Sequence, residues 1–79
     1  MTEALPLTPH ELLEASFRIA WDYLEATGEL VERDHAARFL LDTIEAMMQR
    51  GEFRKLMLSN KAIDAYRNAY PRASLALVS

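Results

Sequence analysis

The chain predicts a small all-α domain, a bundle of three to four helices. Three observations carry that expectation. Two helix starts have matching stops, three segments are amphipathic at helical spacing, and no strand-like alternation occurs in the 79 residues. So short a chain makes one domain, 1–79, and buries only about 60% of its unfolded surface. There is no cysteine, and two histidines cannot build a structural zinc site alone. Tight helix packing or oligomerisation has to support so small a core.

Helix 1 is expected from Pro9 to Ala26. Thr8 and Glu11 have the spacing of a capping box, and Pro9 occupies the first helical position, where no amide hydrogen is needed. Leu7 and Leu12 have the spacing of a hydrophobic staple. Thr27-Gly28 supplies a left-handed stop. On a helical wheel Ile19, Leu12, Tyr23, Ala20, Leu13, Leu24, Phe17 and Trp21 cover an arc of roughly 200°, against the roughly 100° of an ordinary surface helix. That arc is too wide for one partner helix.

Helix 2 is expected from His35 to Arg50, with Asp34 as its N-cap and Arg50-Gly51 as its stop. Ala37, Leu40, Leu41, Ile44, Met47 and Met48 form a core stripe, which Ala36, Phe39 and Thr43 widen to roughly 200° as well. Helix 3 is less regular. Ala62, Ile63, Tyr66, Ala69 and Tyr70 share one face, while Phe53 and Met57 share another that is out of phase. A break near Ser59 reconciles them, giving a short helix over 52–58 and a longer one over 60–70, capped by Ser59. One bent helix is the alternative. Pro71 ends the run. The segments 1–7 and 73–79 are expected to be flexible ends.

The N-terminal MTEALPL has neither a positive stretch nor a long apolar run. No apolar stretch approaches the roughly 20 residues of a membrane helix. The expectation is a soluble cytoplasmic protein without a membrane role. The net charge of −3 is unevenly spread: residues 1–34 hold eight acids and two bases, residues 35–79 seven bases and four acids. The halves can attract within one fold or across a dimer.

The inventory for catalysis is poor. His10-Glu11-Leu12-Leu13-Glu14 resembles the start of a zinc-protease helix, but Glu14 stands where the second histidine belongs, and a catalytic zinc needs three protein ligands. His35 lies beyond the Gly28 turn, and beside Asp34 it reads as a surface histidine. Ser59 has no neighbouring base to make it a nucleophile. Both glycines lie at helix ends, so there is no phosphate-binding loop. No catalytic residue, cofactor or metal is expected.

The bases Arg50, Arg54, Lys55, Lys61, Arg67 and Arg72 cluster between residues 50 and 72, interleaved with Tyr66 and Tyr70. The composition predicts a non-catalytic interaction protein that forms a homodimer or docks onto a larger protein. Ile19, Trp21 and Phe39, at the arc edges, are the candidate interface. Arg54, Lys55, Lys61 and Arg67 are a candidate basic face, with Glu14, Asp22, Glu25 and Glu29 as what they would meet. Met57 is left open between core filler and adaptable contact. The alternative is a DNA-binding regulator that uses residues 50–72 as a helix-turn-helix, though the acidic balance of the whole chain counts against nucleic acid.

Overall fold

The computed structural model describes residues 8–70. Three helices account for them, without a strand: α1 Pro9–Ala26, α2 Arg33–Gln49 and α3 Lys55–Ala69. Each helix packs against both of the others. Leu13 of α1 lines a groove with Met48 near the end of α2, so α1 and α2 run antiparallel. Ser59 meets Ser16 and Arg67 meets Tyr23, which makes α1 and α3 parallel. The bundle is up-down-up with short connections at residues 27–32 and 50–54.

Local chemistry sets α1. The Thr8 hydroxyl accepts from the Glu11 N–H at 3.1 Å, and the Thr8 N–H donates to the Glu11 carboxylate at 3.0 Å. Both halves of the capping box are therefore made. Leu7, the outer half of the expected staple, lies outside the described residues, as do the segments 1–7 and 73–79 and Pro71.

Both stops are Schellman motifs. At the end of α1 the Gly28 and Glu29 N–H groups donate to the Glu25 and Leu24 carbonyls at 3.1 and 2.9 Å. At the end of α2 those of Gly51 and Glu52 donate to Met48 and Met47 at 2.9 and 3.0 Å. The geometry requires a positive φ, and Gly28 and Gly51 supply it at 74° and 100°.

Two expectations are corrected. α2 starts at Arg33, with Glu32 as its N-cap and no side-chain capping bond. Asp34 is the second residue of the helix, within its first turn, where an acid still favours the helix dipole. α3 is one continuous helix; the short helix over 52–58 and the break at Ser59 do not exist. The Ser59 hydroxyl donates back to the Lys55 carbonyl at 2.8 Å and is buried, so it serves the helix interior and not a cap. Phe53 lies before the helix begins, which is why it is out of phase with Ala62, Ile63 and Tyr66.

The core comprises Leu12, Ala20 and Leu24 of α1, Ala36, Leu40 and Ile44 of α2, and Leu58, Ala62, Ile63 and Tyr66 of α3. Small residues are buried on both α1 and α3: Ser16 and Ala20 on the first, Ser59 and Ala62 on the second, all without exposed surface. Ser59 Oγ also reaches the Ser16 carbonyl at 3.4 Å. Phe17, Trp21, Phe39, Met47 and Met48 pack around the core half-buried. The wide apolar arcs now have a physical reason. A helix in a three-helix bundle has two neighbours, and two contact stripes of roughly 100° fill the 200°.

Candidate functional site

The three expected interface residues fall into three neighbourhoods. Trp21 packs on Phe17 with ring centroids 5.4 Å apart, and the Arg33 guanidinium lies 5.5 Å above its ring. Phe39 meets Tyr66 and Tyr70 edge-on at 5.9 and 5.7 Å. Ile19 borders a shallow depression with Lys55 and Glu14. All three are half-buried, and the structure does not gather them into one patch.

The more exposed apolar groups are others. Phe53 is 57% exposed and Leu56 65%. Phe53 stands on the α2–α3 connection, held by its neighbours: the Arg54 N–H donates to the Glu52 carboxylate at 3.0 Å, and the Arg54 guanidinium engages the same carboxylate at 3.0 and 3.1 Å. This pairing pulls the Glu52 carboxyl down to about 2. Beside Phe53 runs an open groove of about 420 Å³ between the start of α1 and the end of α2, lined by Pro9, Leu13 and Met48 and edged by His10, Glu45 and Gln49. On the other side of the same turn, between α2 and α3, a second groove of about 340 Å³ is lined by Met47, Gly51, Glu52, Arg50 and Lys61. Residues 50–53 thus form a ridge with an apolar, acid-edged groove on one flank and a basic groove on the other. The sequence held one sign of Phe53: its phase mismatch with α3.

The expected basic face is divided in two by its partners. Arg67 reaches across to the α1–α2 connection, bonding Glu29 at 2.9 to 3.2 Å and the Tyr23 hydroxyl at 3.0 Å, with its guanidinium 5.2 Å from the Tyr23 ring. The Arg67 hydrogen bonds, with help from the Thr27 hydroxyl, hold the Glu29 carboxyl below its ordinary value. Glu29 is thus one of the acids that meets a base of the C-terminal half. Glu25 is engaged by Arg33 of α2. Arg54 is occupied by Glu52, while Lys55 and Lys61 remain exposed. Arg72 lies outside the described residues.

His10 and Glu14 sit 3.6 Å apart on the surface of α1, both largely exposed. Among the described residues no three histidine or acidic side chains converge as metal ligands would. His35 is exposed at the start of α2. The helix-turn-helix reading needs a turn within residues 50–72 near Ser59, and α3 passes through that point unbroken. No helix among the described residues is long and apolar enough to cross a membrane. Compared with known protein families, with curated proteins and with solved structures, the chain matches none.

Proposed function

We propose that the chain is a non-catalytic helical interaction protein that associates with a second copy of itself, through the bundle end around Phe53. One observation supports this most: Phe53 stands more than half exposed beside an open apolar groove. Contiguous apolar surface at a groove is what contact surfaces present, and Phe53 continues the partly exposed Leu13 and Met48. Ile19, Trp21 and Phe39 are secondary candidates, since their packing leaves each partly accessible. The lack of cysteine fits a reducing compartment, and the proposal places the protein in the cytoplasm.

Sedimentation or light scattering across a concentration series tests the reading. The mass should rise from monomer toward dimer through the micromolar range. A sharp monomer mass at high micromolar concentration would overturn self-association and leave a larger protein as the only partner class. Phe53→Ser should weaken the association more than Trp21→Ala, because large exposed aromatics commonly anchor interfaces.

A further inference from the structure

The two grooves beside the α2–α3 turn differ in charge, and that difference says what can cover them. On one flank lie Pro9, Leu13, Met48 and Phe53, with Glu45 and Gln49 at the edge beside His10, whose ring lies 3.6 Å from the Glu14 carboxylate of its own helix. On the other lie Arg50 and Lys61, with Glu52 already engaged by Arg54. A twofold axis along the ridge exchanges the flanks, so each flank of one copy faces the opposite flank of the other. An acid-edged surface and a basic one, side by side on one molecule, are therefore both covered at once in an isologous pair, which closes, whereas a head-to-tail contact leaves one flank of each end copy open.

We infer that the occupant is a second copy of this chain, related by a twofold axis along residues 50–53, with Glu45 of each copy opposite Lys61 and Arg50 of the other. This inference rests on the self-association proposed above and adds its surface and symmetry. Phe53 provides apolar contact near the axis, and the charges fix the register. Complementary charges of this kind act mainly on specificity, while like charges brought face to face are strongly unfavourable.

Charge reversal tests the arrangement. Glu45→Lys and Lys61→Glu both change exposed residues, and circular dichroism should show unaltered helix content. Each variant alone places two like-charged contacts in its homodimer, so its dimer should dissociate at about tenfold or more lower affinity than the unmodified chain. An equimolar mixture of the two should recover association. In the mixed pair one contact is a reversed but attractive Lys–Glu pair, and the other is the original. Recovery in the mixture, with both single variants impaired, is the result expected. Single variants that dimerise like the unmodified chain, or a mixture no better than its components, would overturn the twofold arrangement while leaving self-association standing. A monomeric unmodified chain would overturn both.

Discussion

The two connections of the bundle begin alike and end differently. Each follows a Schellman stop with a glycine at positive φ. The first, residues 27–32, is tied to α3 at two points. The Val31 N–H donates to the Tyr66 hydroxyl at 3.2 Å, and Arg67 holds Glu29. The second, residues 50–54, bonds through its side chains mainly to itself, by the Glu52–Arg54 pair. Fastening a corner to a distant helix couples it to global folding. A corner fastened only to itself keeps its shape and leaves its surface available. The first connection therefore serves stability and the second is suited to recognition.

The strongest way to break the comparison is to remove the packing under the first corner. Leu24 is fully buried, and its carbonyl closes the α1 stop. Leu24→Ala should cost about 2–5 kcal/mol, from lost transfer energy and the cavity left behind. Marginal domains hold only about 5–15 kcal/mol, so chemical denaturation should show a large shift of the midpoint. A small shift would mean that the corner is held by its polar links.

Those links give the next effect. Tyr66→Phe keeps the buried ring and removes the acceptor of the Val31 N–H. The expected loss is about 1 kcal/mol, the usual net value of one hydrogen bond. Arg54→Ala at the second corner should change stability by less than about 0.5 kcal/mol, as surface substitutions generally do. Equal losses at the two corners would erase the distinction drawn between them.

Acid sharpens the same contrast. Glu29 and Glu52 both have carboxyls held low by an arginine. A group whose carboxyl is lower in the folded than in the unfolded chain adds stability above its ordinary value, and that contribution is lost as pH falls through the lowered value. Glu29 pairs with a residue 38 positions away, so its partner is present only in the folded chain. Glu52 pairs two positions away, and a pair so close in sequence can also form in an unfolded chain. Glu29→Gln should therefore flatten the fall of melting temperature as pH drops below the ordinary carboxylate value of 4.5 more than Glu52→Gln does, although the Glu52 carboxyl lies down at about 2.

What could be read from the sequence follows a similar division. α1 was legible to the residue because Thr8, Pro9, Glu11 and Gly28 act within a few positions of one another. The start of α2 was displaced because an aspartate looks the same at a cap and in a first turn, and Asp34 is in the turn. Ser59 misled for a tertiary reason. Its hydroxyl suits a cap locally, but the close approach of α3 to Ser16 buries it inside a helix. Ser16 itself was hidden because a serine within an apolar stripe gives no signal of how near the neighbouring backbone comes. The candidate surface was less legible still. Wide arcs pointed to a second copy through Trp21, Ile19 and Phe39, yet two neighbours within the bundle take up most of that width. Phe53 was marked only by being out of phase.

The smallest expected effect on stability is the most informative about the second corner. Phe53 projects from the ridge with more than half its surface in water, so folding draws little from it. Phe53→Ser should leave the denaturation midpoint within about 0.5 kcal/mol of the unmodified chain. If Phe53 serves recognition, the same substitution should shift the concentration at which the mass doubles. Stability and association would then separate at one residue, as they should where an apolar side chain is kept for a partner. If Phe53→Ser instead lowers stability by about 2 kcal/mol or more, the ring is anchoring the start of α1 through Pro9 and Leu13. The ridge would then be a second fastened corner, the contrast between the two connections would close, and the contact surface would have to be sought at Trp21 or Leu56.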